Sequence, residues 1–145
     1  MREIKFRAWD KKRKEMFPVH ELEWHKIIHS LTTCIGYDDP DKDGWTMHGG
    51  RNNSYANGER YVLLQYTELK DKNGVDIYEG DILSTDLDRP FNVVVFRNGA
   101  FMFQCHDNEK DYYDYVFSAD EESDRWKYGE IIGNIYENPE LLERR

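Results

Sequence analysis

The sequence predicts a mainly β protein, a β-rich α+β chain folded as a small antiparallel barrel or sandwich and ending in a short helical turn. Three observations predict it. At least six short runs of β-prone residues follow one another along the chain, and turn-forming pairs such as Asn73-Gly74 and Asn98-Gly99 stand between them. The runs are close enough in sequence for antiparallel hairpins. Ten Tyr, seven Phe and four Trp give a chain that is only 39% hydrophobic and 34% charged enough apolar area for a core.

The first run alternates Ile4, Phe6 and Ala8 with Lys5, Arg7 and Trp9, the period of a half-buried strand. Asp10-Lys11-Lys12-Arg13-Lys14 reads as an exposed turn, and Met16, Phe17 and Val19 return as a second strand that Pro18 confines to an edge. From His20 to Leu31 two readings stand: Trp24, Ile27, Ile28 and Leu31 fit one helical face, while Val19, Leu22 and Trp24 fit a strand. Residues 38–58, with Asp43-Gly44, Gly49-Gly50 and Asn57-Gly58, read as a long variable loop or hairpin tip.

Tyr61–Tyr66 reads as a strand, with a turn over Leu69–Gly74. Gly80-Asp81 bends the chain into another strand at Ile82, and Phe91–Phe96 with Ala100–Cys105 form the clearest hairpin. Tyr112–Phe117 and Glu130–Tyr136 are the last strands. Asn138-Pro139-Glu140 then reads as an N-cap with Pro at the first helical position, starting a turn through Leu142. A chain of 145 residues suits one folding unit or two small subdomains, here 1–66, carrying the variable loop, and 67–145.

The formal charge is −9 but uneven. Seven basic residues against Glu3 and Asp10 occupy Met1–Lys14, and eight acids against Lys110 occupy Asp107–Asp124. A chain of this sign is repelled from nucleic acid except through its basic N-terminal end, so nucleic acid is not an expected partner. No apolar run approaches the ~20 residues of a membrane span, and no signal-peptide core follows Met1-Arg2-Glu3-Ile4-Lys5; a cytoplasmic protein is expected. Cys34 and Cys105 read as reduced, buried residues.

Catalytic templates are absent: no phosphate-binding glycine loop, nucleophile elbow, His-Glu-x-x-His or Cys-x-x-Cys occurs. The sequence therefore predicts no enzyme activity and no cofactor. Asp39–Gly44 matches the start of a calcium loop, but Gly50 stands where the closing bidentate Glu belongs. Glu21, His25 and His29 are the candidate metal ligands. On a helix they share a face at about 5–6 Å spacing; on a strand the two histidines are roughly 13 Å apart and cannot share an ion. Two histidines without a clear third ligand are more often structural, and no metal site is assigned. Glu79 with Asp81, and Asp111 with Asp114, are carboxylate pairs of the kind found at ordinary turns. Tyr113, Tyr115 and Phe117 would share one strand face suited to a protein interface, against the plainer reading of barrel filling.

Three segments carry a resemblance: Arg2-Glu3-Ile4-Lys5-Phe6-Arg7-Ala8-Trp9-Asp10-Lys11; Leu64–Gly74 running into Ile77-Tyr78-Glu79-Gly80-Asp81-Ile82; and Ile132-Gly133-Asn134-Ile135-Tyr136-Glu137-Asn138-Pro139-Glu140-Leu141-Leu142. In this order they resemble the YopX family of small bacteriophage and prophage proteins. His20–Glu59 lies outside the three segments. The resemblance implies a β-rich fold whose C-terminal half is an SH3-like barrel, a phage or prophage origin, and no established activity. Glu68 stands where the family usually has Gly, so positive φ is not expected there. The expected function is that of a non-catalytic accessory protein that binds a protein partner or forms a homo-oligomer. A nucleic-acid-binding barrel using Arg7 and Lys11–Lys14 is the first rival, and a metal enzyme using His25, His29 and Glu21 the second.

Overall fold

The computed structural model describes residues 2–28, 30–37, 46–52, 60–84, 92–106, 111–115 and 129–144, with the side chains of 105, 106, 111–115 and 144 outside that description. The described chain is mostly β, as expected, and contains no α-helix. The strands are β1 (Phe6–Asp10), β2 (Glu15–Val19), β3 (Glu21–Trp24), β4 (Leu31–Tyr37), β5 (Met47–Arg51), β6 (Tyr61–Lys70), β7 (Asp76–Tyr78), β8 (Asp81–Ser84), β9 (Asn92–Arg97), β10 (Ala100–His106), β11 (Asp111–Tyr115) and β12 (Glu130–Asn134). All pairings among them are antiparallel. A 3-10 segment, Pro139–Arg144, ends the described chain.

The chain divides into two compact units, Lys5–Gln65 and Met1–Ile4 with Tyr66–Arg145. The first unit is built on the β1–β2 hairpin, with the first half of β6 paired to β1, and on a three-stranded sheet ordered β3-β4-β5. Pro18 lies in edge strand β2, where its missing N–H breaks no ladder. Ala8, Phe17, Leu31, Cys34 and Tyr61 form the core, with Val19, Leu22 and Leu63 against it. Cys34 is a buried free thiol, and burial pushes it up to about 11.

The second unit holds a five-stranded sheet, β11-β10-β9-β8-β12, and the pairing of the second half of β6 with β7. Its core is Leu69, Ile77, Leu83, Val94 and Phe103. Each such side chain contributes roughly 1.5–3 kcal/mol when fully buried. The β9–β10 hairpin turns through Asn98 and Gly99, both at positive φ (53° and 78°), the geometry that matches strand twist in a two-residue turn.

Several expectations are corrected. Asp10 does not belong to an exposed turn: it is 1% exposed, so the alternation of β1 ends in Ala8, Trp9 and Asp10 all buried. His20–Leu31 is not a helix; Glu21–Trp24 is strand and residues 26–28 a tight turn. Within 38–58, Met47–Arg51 is strand β5 rather than loop. Gly49 serves a close approach there, because a Cβ on it would lie 2.0 Å from the Cys34 carbonyl oxygen. β6 runs on to Lys70 with a register shift after Tyr66, and Glu68 in that shift takes φ +72°, contrary to the expectation drawn from its departure from Gly. Asn138 does not cap the 3-10 segment with its side chain; its Oδ1 accepts the Asn134 N–H instead.

Candidate functional site

The residues that carry the family resemblance are occupied in holding backbone. Asp10 Oδ1 accepts the N–H groups of Lys12 and Arg13, and Arg60 binds both carboxylate oxygens. Burial alone would raise the Asp10 carboxyl, but the Arg60 bonds and the two backbone donors outweigh it and hold the group below its ordinary value. Asp71 Oδ1 accepts from Asn73 and Val75, closing the Asn73-Gly74 turn, and its Oδ2 accepts from Ile131 of β12. Burial opposes ionisation here too, and the three backbone donors prevail. Asp81 accepts the Tyr78 N–H, so the Glu79/Asp81 pair serves a turn. Asn134 Oδ1 accepts from Tyr136 and Glu137, while the space over Gly133 is filled by the Asn138 side chain.

A candidate binding surface among the described residues lies elsewhere, at the β3–β4 connection of the first unit. The His25 N–H donates to the Ser30 carbonyl at 2.8 Å, and His25 Nδ1 accepts from Ile27 and Ile28 at 3.2 and 3.3 Å. That imidazole does for this turn what an Asx side chain does elsewhere. The turn drives apolar side chains outward: Ile27 is 81% exposed, Ile28 70% and Trp24 46%. Asn52 ties the base, its Nδ2 donating to the Leu31 carbonyl and its Oδ1 accepting from Arg60 and Tyr61. An open cavity of about 690 Å³ results, lined by Trp24, Ile27 and Ile28 with Lys26, Arg51 and Glu23.

Of the three candidate metal ligands, the structure describes Glu21 and His25. Glu21 lies in β3 and His25 follows that strand in a turn, so the shared helical face does not form. His29, the Asp39–Gly44 segment and Phe117 lie outside the described residues. Among the described residues, no group of three or more His, Cys, Asp or Glu is placed to hold a metal. Asp111, Asp114, Tyr113 and Tyr115 belong to β11, an edge strand paired with β10, and their side chains are outside the description. Lys11–Lys14 form an exposed turn, whereas Arg7 is half-buried and separate from it in exposure. Arg51 and the exposure of Ile27-Ile28 went unseen in the sequence. The one available signal was an Ile pair between His25 and His29, which a helical stripe explained equally well.

Antiparallel sheets braced by buried turn carboxylates and asparagines, with an outward apolar turn, define a small β-rich protein whose shared residues are architectural. The family model described as YopX protein matches residues 5–143, and the chain belongs to the YopX family. It is similar to protein EF1440 from Enterococcus faecalis, whose crystal structure matches it with a TM-score of 0.61 at 27% identity, over 98% of this chain and 99% of that one. No curated protein matches it. Among the described residues no helix is long and apolar enough to cross a membrane.

Proposed function

We propose that the protein is a non-catalytic accessory protein of a phage or prophage, acting in the bacterial cytoplasm by binding a protein partner through the β3–β4 turn. The observation that supports this reading most directly is the outward trio Trp24, Ile27 and Ile28 around a cavity, in a chain that is otherwise acidic and polar. Family membership supports the phage setting, and the five-stranded antiparallel sheet of the second unit suits the SH3-like barrel that the family resemblance implies. The shared residues that could have done chemistry are engaged with backbone, which favours a binding role over an enzymatic one.

A photo-reactive residue placed at Ile27 tests the reading in producing cells, with Val75, exposed in the other unit, as reference. Discrete protein adducts from position 27 and not from 75 are expected, including self-adducts if the partner is a second copy. Adducts no stronger at 27 than at 75 would remove the proposal. A second reading, nucleic-acid binding, draws on the exposed cationic turn Lys11–Lys14. It requires binding that weakens steeply with salt, and absence of binding at low salt disposes of it.

A further inference from the structure

We infer that the cavity beneath the β3–β4 turn takes an extended peptide segment carrying a bulky apolar side chain next to carboxylates. The inference rests on the protein-binding reading and narrows it to one partner chemistry. The apolar half comes from Trp24 at the end of β3 and from Ile27 and Ile28 in the turn that follows, three large exposed side chains. The charged half comes from Lys26 and Arg51. Both line the same cavity, and among the described residues neither side chain has a hydrogen-bond or ion-pair partner.

Other cations of the chain either pair with a carboxylate or, like Lys11–Lys14, stand on a solvated turn with no apolar side chains about them. Arg2 pairs with Glu68, Arg60 with Asp10, Lys70 with Asp76 and Lys72 with Glu130. The cavity lining instead holds two cations and one carboxylate, Glu23, with no ion pair joining them. An acidic chain thus keeps a locally cationic, apolar hollow. Charge complementarity assigns carboxylates to its occupant, and the apolar lining assigns a large hydrophobic side chain beside them.

An extended segment fits better than a compact ligand because, among the described residues, β3 is an edge strand with no strand paired to its outer side. Glu21 and Glu23 are exposed on β3 itself. Carboxylates of a bound segment therefore belong at the end nearest the turn, by Lys26, and not along the strand. A polyanion such as nucleic acid is disfavoured: the cavity offers two cations, and the chain as a whole carries −9.

The test is selection of random decapeptides displayed against the full-length protein, followed by titration of a selected peptide. The expected pool is enriched in Asp or Glu clustered at one end beside Leu, Ile, Phe or Trp. Affinity should fall at least tenfold in the Lys26→Glu/Arg51→Glu variant and far less in Lys11→Glu/Lys12→Glu, which changes net charge equally at a remote exposed turn. Unchanged circular dichroism of both variants excludes misfolding. A pool without acid enrichment, no selectable peptide, or equal losses in the two variants would overturn the inference. So would Lys26/Arg51-dependent binding to phosphatidylserine vesicles without peptide binding. Discrete adducts from position 27 alongside an acid-free pool would leave the protein-binding reading standing and sink this one alone.

Discussion

Arg60 grips Asp10 across fifty residues of sequence, Nε to Oδ1 at 2.9 Å and Nη2 to Oδ2 at 2.8 Å. The pair fastens the turn after β1 to the start of β6, where the Lys11 N–H also donates to the Arg60 carbonyl. Asp10 is buried while Arg60 keeps access to water, so removing the carboxylate leaves a guanidinium that solvent still reaches. Asp10→Asn is expected to cost about 2–3 kcal/mol in urea unfolding, since it weakens charge-assisted bonds to both Arg60 and the turn. Arg60→Lys should recover only part of the native stability, because an ammonium cannot make the forked contact. Equal stability of wild type and Asp10→Asn would refute the clamp.

Acid should unfold the protein through Asp10 and Asp71. Both carboxyls are held below the ordinary aspartate value of 3.8 in the folded state. A depressed folded pKa gives stability that is complete above about pH 5 and drains as pH falls through the ordinary value toward the folded one. Urea midpoints from pH 7 down to 3 are expected to fall steeply for wild type. The Asp10→Asn/Asp71→Asn protein should start lower and show a flatter slope; parallel slopes would contradict the assignment.

How much of this was legible follows the turn chemistry. The β9–β10 hairpin could be read because Asn98-Gly99 has one common use, a two-residue turn between β-prone runs, valine-rich before it and aromatic after it. β5 could not, because glycine marks both turns and close backbone approach, and Gly49 is there for the second reason. The helical stripe of Trp24, Ile27, Ile28 and Leu31 misled because periodicity presumes burial, and only Leu31 is buried. Asp10, Asp71 and Asp81 look in sequence like turn acids. For Asp10 and Asp71 the buried carboxylate also meets distant donors, Arg60 and Ile131, which no local pattern shows.

Glu68 occupies a left-handed conformation that a side chain disfavours by roughly 1–2 kcal/mol. Its ion pair with Arg2 is exposed and returns little of that. Glu68→Gly relieves the strain but gains freedom in the unfolded chain, so stability is expected to stay within about 0.5 kcal/mol or rise slightly. Glu68→Val should lose about 1–2 kcal/mol beyond that, because branching at Cβ worsens the same clash. Thermal denaturation of the two variants checks the order, and a more stable Val variant would count against the backbone assignment.

Gly133 is coupled to Asn138. A Cβ at 133 would lie 2.5 Å from Asn138 Oδ1, the atom that accepts the Asn134 N–H. Gly133→Ala is therefore expected to cost about 2 kcal/mol by displacing that side chain and its bond. Asn138→Ala alone should cost about 1 kcal/mol, and the double variant less than the sum, with a coupling above about 0.5 kcal/mol. Additive losses would show that the two positions act independently.

The β3–β4 turn should separate binding from stability. Ile27 and Ile28 contribute little to the core, so making both Asp is expected to leave unfolding free energy within about 0.5 kcal/mol of wild type. The same change removes the apolar half of the proposed docking surface and sets two carboxylates beside Lys26. Adducts formed from a photo-reactive residue at Trp24 should then disappear while the melting curve stays in place. A variant that melts early would show the isoleucines to be core, and one that keeps its adducts would place the partner elsewhere.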